Sequence, residues 1–82
     1  MKVKKILKEL EKLLKNNEMD IIYGTGSFSG GYCLINNSSV VVINKRTPAE
    51  EKATVLVNII LTKQIDLTNC KASVIEFINR FN

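Results

Sequence analysis

Histidine and tryptophan are absent from this chain of 82 residues, which has only one proline and two cysteines. Histidine is the side chain that most often titrates near neutral pH and most often binds metals. Its absence excludes Ser-His-Asp and Cys-His catalysis and histidine-based zinc sites. Two cysteines are too few for a disulfide framework. We therefore expect no metal, no cofactor and no catalytic residue.

Long apolar runs are also missing. The longest covers residues 40–43 (Val-Val-Val-Ile), far short of the roughly 20 residues of a membrane span or the core of a signal peptide. The N-terminal segment is charged instead. We expect a cytoplasmic protein with free thiols and no membrane partner.

The composition that remains is typical of one small folded domain over residues 1–82. About 45% of the residues are apolar, which is enough for a packed core. Chains of this size bury only a little over ~60% of their unfolded surface, so a partner subunit would add stability.

Apolar spacing predicts the order α-β-β-β-α-α. Helices are predicted over residues 3–16, 48–64 and 71–81, and strands over 19–23, 32–36 and 40–44. We expect an α+β fold whose three-stranded, mainly antiparallel sheet is covered on one face by the helices. The first strand should pair with one strand of the central hairpin.

Local signals predict where these elements begin and end. Asn16 and Asn17 should end the first helix, because asparagine tolerates the left-handed conformation. Residues 37–39 (Asn-Ser-Ser) should form the hairpin turn. Thr47 as N-cap, Pro48 at the first helical position and Glu50 three residues after Thr47 predict a capping box.

The glycine-rich loop before the hairpin is the first candidate site. Gly26 and Gly31 have phosphate-loop spacing, but the Lys-Ser/Thr pair is missing and a strand follows instead of a helix. The glycines can serve only backbone geometry, or the loop can receive an anion or a peptide end. The residues of this candidate are Gly24, Thr25, Gly26, Ser27, Ser29, Gly30 and Gly31, with Lys45 and Arg46 to supply charge.

The second candidate is the basic face of the first helix. Residues 1–15 contain six lysines and two glutamates, a net +4, and the remaining residues are balanced. Helical spacing places five lysines opposite the leucine stripe: Lys4, Lys5, Lys8, Lys12 and Lys15. Pairs Lys5–Glu9 and Glu11–Lys15 should relieve part of their repulsion. This face is either a solvated surface or a patch for nucleic acid or an acidic protein.

Two further features complete the candidates. Cys33 is expected mid-strand as a small buried side chain, and Lys71 beside Cys70 should favour a thiolate. Without a Cys-x-x-Cys motif, a histidine or a nearby base, structural roles are favoured for both cysteines. The helix after Pro48 is apolar over most of its circumference, with Val55 and Ile59 on a flank outside the main stripe. That flank is either covered by the first and third helices or contacts a second chain in a homodimer.

Residues 30–61 resemble small uncharacterised bacterial α+β proteins, through Gly-Gly-Tyr-Cys, a hairpin ending Val-Val-Val-Ile-Asn-Lys, and the helix start Pro-Ala-Glu-Glu-Lys. The layout is similar to the core of ImmA/IrrE-like zinc peptidases. Residues 54–56 (Thr-Val-Leu) match the lead-in to that family's H-E-x-x-H motif. Residues 57–61 (Val-Asn-Ile-Ile-Leu) stand in place of the motif itself. The resemblance implies a fold without the metal and without peptidase activity.

These observations favour a non-enzymatic binding or interaction domain that self-associates. The alternative from another class is a nucleic-acid-associated accessory protein that uses the first helix. An enzyme using the glycine-rich loop and Cys33 is the third hypothesis.

Overall fold

A computed structural model describes residues 2–26 and 30–81, and within them the predicted order of helices and strands is confirmed. The elements are α1 (Val3–Asn16), β1 (Asp20–Gly24), β2 (Gly31–Ile35), β3 (Ser38–Asn44), α2 (Ala49–Thr62) and α3 (Ala72–Asn79). The layout is α+β, with one three-stranded sheet packed against helices.

The sheet is mixed, which corrects the prediction of a mainly antiparallel sheet. Its strand order is β1-β3-β2. β2 pairs with β3 antiparallel, whereas β1 pairs with β3 parallel, from Asp20 opposite Val40 to Gly24 opposite Asn44. The chain leaves β1 at one edge, passes the end of the central strand to reach β2 at the other edge, and then returns through the hairpin. Two reversals of direction give β1 and β3 the same orientation.

The hairpin turn consists of two residues, Asn36 and Asn37, so the predicted turn at 37–39 was placed too late. Both asparagines have positive φ, 51° and 66°. Ile35 pairs with Ser38 directly across the turn. Positive φ at both central positions is the geometry of a type I′ turn, whose twist matches that of the strands, and asparagine tolerates it well.

The C-terminal ends of α1 and α2 share one motif. Glu18 after α1 and Gln64 after α2 have φ of 63° and 53°. The next amide donates back across the turn, Met19 to the Leu14 carbonyl (3.1 Å) and Ile65 to the Ile60 carbonyl (3.1 Å). These are Schellman ends. The prediction that an asparagine would be left-handed was wrong, because Asn17 has φ −104° and the residue after it turns the chain.

The start of α2 differs from the predicted capping box. Pro48 occupies the N-cap with extended ψ of 151°, and no side chain caps the helix. The Thr47 amide instead donates to the Asn44 carbonyl at 3.1 Å in the turn after β3. Thr47 lies one residue too early to cap the helix, because Pro48 remains outside it.

The core lies between the helices and one face of the sheet. Its fully buried side chains include Leu10 and Leu14 of α1, Leu56 and Ile60 of α2, Val74 and Ile78 of α3, and Val41 of β3. α1 is the central helix, since its backbone approaches both α2 and α3. The idea that α2 lies between the other two helices is therefore wrong.

Candidate functional site

The glycine-rich loop is attached to the end of the central strand. Gly26 has φ 146°, and its carbonyl accepts a hydrogen bond from the Asn44 side-chain amide at 2.8 Å. The Gly24 carbonyl accepts from the Lys45 amide, also at 2.8 Å. The Asn44 carboxamide oxygen accepts from the Arg46 amide at 3.1 Å. The structure thus brings the loop and the Lys45–Arg46 turn together at the ends of the two parallel strands.

This junction has mixed charge. Lys45, Arg46 and Thr25 are exposed, and Glu50 and Glu51 lie in the first turn of α2. A cavity of about 230 Å³ beside the loop is lined by Gly30, Asn44, Glu51 and Lys52, among others. Ser27 and Ser29 of the predicted loop site lie outside the described residues. Binding of an anion or peptide end at this loop stays a prediction.

The basic face of α1 is exposed along its length, as the helical spacing predicted. Its members are Lys4, Lys5, Lys8, Lys12 and Lys15. The predicted pairs with Glu9 and Glu11 are replaced by tertiary contacts. Glu9 lies 3.2 Å from the Lys71 ammonium, and Glu11 accepts a hydrogen bond from the Tyr23 hydroxyl. The acidic side chains of α1 thus contact Lys71, just before α3, and Tyr23 of the sheet.

The two cysteines are free thiols in different environments. Cys33 is half-buried at the middle of β2. Cys70 is half-buried in a groove of about 410 Å³ between α1 and the segment before α3. Burial, followed by the nearby carboxylates of Asp66 and Glu9, raises the pKa of Cys70. The predicted thiolate is therefore wrong, since Lys71 pairs with Glu9 and burial disfavours the charge.

The predicted dimer flank on α2 lies mostly inside the monomer. Ile59 is 8% exposed and belongs to the core, and Val55 is half-buried against it. Ile59 also lines a small cavity with Tyr32 and Lys63, whose ammonium lies 4.1 Å from the centre of the Tyr32 ring. Little of this flank is available to a second chain.

The sheet face opposite the helices is a surface that sequence reasoning missed. We call it the open face, and its apolar members are Ile22, Cys33, Ile35, Val40 and Val42. None of them belongs to the core cluster between sheet and helices. Ile22 and Ile35 are 47% and 48% exposed, Cys33 and Val42 are half-buried, and Val40 is buried.

A signal for the open face was present in the sequence. The unbroken apolar run 40–43 places valines on both sides of β3, because successive strand residues point to opposite faces. A strand covered by helices on one side only would normally alternate with polar residues.

No family model, curated protein or solved structure matches the chain. The resemblance to the ImmA/IrrE-like core therefore stays a prediction. Residues 2–26 and 30–81 contain no cluster of three or more cysteine or carboxylate side chains suited to a metal ion. Among the helices of this described part, none has the length and apolar character needed to cross a bilayer.

Proposed function

We propose that this protein is a small non-enzymatic interaction domain that self-associates through its sheet. The observation that carries the proposal is the exposed apolar surface of the sheet, where Ile22, Leu34 and Ile35 are 47%, 63% and 48% exposed. Covering apolar surface of this kind with another surface lowers the free energy by about 25 cal/mol per Å² removed from water. A small domain has few other ways to enlarge its buried area.

The titratable side chains support a non-enzymatic role. The chain has no histidine. The pKa of Cys70 is raised, which keeps its thiol protonated near neutral pH. Glu9 is paired with Lys71, and the Asp66 carboxylate accepts hydrogen bonds from the amide and hydroxyl of Thr68. The free thiols fit the cytoplasm, which is where we place the protein.

The experiment that tests the proposal is light scattering after size-exclusion chromatography, from low to high micromolar protein. The wild type should form a dimer, and Ile35→Lys should be a folded monomer because it places a charge on the contact surface. Asn69→Lys adds the same charge at an exposed position near α3 and should leave the dimer intact. A wild type that is monomeric at every concentration would refute self-association.

A second candidate function, polyanion binding through α1, is favoured by the partners of Glu9 and Glu11. Glu9 and Glu11 each have a partner outside the basic face, Lys71 and Tyr23, while the five lysines are exposed. A row of exposed ammonium groups attracts nucleic-acid phosphates without reading bases. Titration of labelled RNA at several salt concentrations tests it, and no binding at low salt would exclude it.

A further inference from the structure

We infer that a second copy of this chain pairs with β2 along its free edge, in antiparallel orientation, with the two Cys33 residues opposite each other at the two-fold axis. The inference rests on the proposed self-association and names the contact that produces it. The product is a continuous six-stranded sheet.

β2 has an unpaired edge. It is the outer strand of the sheet, next to β3 only. Within residues 2–26 and 30–81, its backbone makes no hydrogen bond outside that ladder. Edge strands in monomers are normally protected by charged residues, proline or a bulge. β2 has the sequence Gly-Tyr-Cys-Leu-Ile, which contains neither a charge nor a proline.

The hairpin geometry determines which backbone amides and carbonyls of β2 point to its free edge. Ile35 and Ser38 close a two-residue type I′ turn, so they form a hydrogen-bonded pair. In an antiparallel ladder such pairs alternate with pairs that are not hydrogen-bonded. Gly31, Cys33 and Ile35 therefore bond to β3. The amides and carbonyls of Tyr32 and Leu34 point away from it, to the free edge.

The outward-facing groups also determine the register between β2 and the β2 strand of a second copy. A second β2 satisfies both outward residues only when Tyr32 of one copy lies opposite Leu34 of the other. This arrangement makes about four backbone hydrogen bonds. It also places Cys33 opposite its own equivalent as a non-hydrogen-bonded pair, with Cα atoms about 4.5 Å apart. Shifting the strands by two residues in either direction shortens the overlap.

The side chains of the two β2 strands are complementary in this register. On the open face, Ile35 of one copy lies opposite Gly31 of the other, where a Cβ atom would meet nothing within 4 Å. The exposed half of Ile35 therefore fills a gap next to Val42, which pairs with Gly31. On the helix side, Leu34, 63% exposed, lies opposite the Tyr32 ring. The strand itself has no charge, and the ammonium group next to the contact is that of Lys63, 4.1 Å from the centre of the Tyr32 ring.

The test uses Cys33 as a reporter. In a Cys70→Ser background, a short thiol–thiol cross-linker should convert most of the protein to covalent dimer. Cys33→Ser, which keeps Cys70, is the matched control and should stay monomeric on a denaturing gel. Cross-linking by the control but not by Cys33 would overturn the inference.

Two variants separate edge pairing from stacking of open faces. Leu34→Lys changes an exposed residue on the edge and should weaken the dimer by roughly tenfold or more, because two-fold symmetry applies the change twice. Ile22→Lys lies on the open face of β1, at the opposite edge, and should leave the dimer intact. A dimer that Ile22→Lys dissociates and Cys33 does not cross-link would overturn edge pairing but keep the proposed function. A monomeric wild type would overturn both.

Discussion

Gly30 approaches the central strand so closely that a Cβ atom built on it would lie 2.7 Å from the carbonyl oxygen of Val42. The contact is with backbone, which cannot move aside as a side chain can. The glycine-rich loop ends here, where the chain passes the end of β3 on its way to β2. Gly30 is thus needed for the crossing between the two edges of the sheet, and Gly31 next to it has open space.

We predict that Gly30→Ala lowers the free energy of unfolding by about 1–3 kcal/mol, the usual cost of overpacking. Gly31→Ala is the matched control and should raise it by up to about 0.5 kcal/mol, because alanine reduces the entropy of the unfolded chain. Urea denaturation at low micromolar concentration measures both. Equal losses in the two variants would contradict the close approach at Gly30.

The left-handed residues after α1 and α2 give a second prediction. Gln64→Gly and Glu18→Gly should each stabilise the fold by about 0.5–1 kcal/mol, because glycine removes the left-handed strain at some entropic cost. Asn17→Gly is the control: its φ is −104° and its side-chain amide donates to the Leu13 carbonyl at 2.8 Å, so this change should destabilise. Thermal unfolding ranks the three variants, and a lower melting temperature for Gln64→Gly would be evidence against the motif.

Tyr23 and Tyr32 should respond to high pH in opposite ways. Burial, followed by the hydrogen bond to Glu11 and its charge, raises the pKa of Tyr23 above its usual 10.0. Its contribution to stability is therefore fully present below about pH 10 and is lost as the pH rises further. The hydrogen bond with Ser39, followed by the hydrogen bond and charge of Lys63, lowers the pKa of Tyr32. The contribution of Tyr32 to stability therefore grows as the pH approaches 10 from below.

The two tyrosines can be followed separately because the chain has no tryptophan. Ultraviolet titration should show Tyr32 ionising first, and Tyr32→Phe should remove that first step. Tyr23→Phe should make the free energy of unfolding less sensitive to pH above 10, whereas Tyr32→Phe should make its alkaline fall steeper. The reverse order of ionisation would contradict the Glu11–Tyr23 contact.

Ile59 tests the packing of α2. Ile59→Lys should cost at least about 3 kcal/mol, because it removes a core side chain and buries an ammonium group. Asn58→Lys, one residue earlier on the exposed side, should change stability by less than about 0.5 kcal/mol. Circular dichroism during urea denaturation measures the difference. A well-folded Ile59→Lys monomer would instead restore the α2 flank as a dimer contact.

The basic face of α1 gives the last prediction. Replacing Lys4, Lys8 and Lys12 by Gln should change the free energy of unfolding by less than about 1 kcal/mol, since all three are exposed. If α1 binds RNA, the same triple variant should flatten the dependence of binding on salt, because fewer counterions are released. An unchanged salt slope would place any RNA contact elsewhere.

Most of the secondary structure could be predicted because its signals are local. The leucine stripe of α1 repeats with the helical period, and the predicted range 3–16 agrees with the observed helix. The predictions were wrong at the ends of the elements, where a single residue determines the boundary. The hairpin turn contains Asn36 rather than Ser38, and the N-cap of α2 is Pro48 rather than Thr47.

The candidate site was predicted only as far as exposure follows from helical spacing. The lysines of α1 are exposed as expected, but the partners of Glu9 and Glu11 could not be foreseen, since Lys71 and Tyr23 lie on other elements. The pKa of Cys70 was misjudged for the same reason. Its neighbour in sequence is Lys71, but burial and two distant carboxylates determine its protonation.

Periodicity within short segments was enough to predict the helices, the strands and most of the apolar residues that form the core. That β1 runs parallel to β3 and that Gly30 meets the backbone of β3 became known only from the three-dimensional arrangement. Those outcomes depend on contacts between segments that are far apart in the sequence. Strand pairing joins residues far apart in sequence, and the free energy of covering a face is shared among all the elements that meet there.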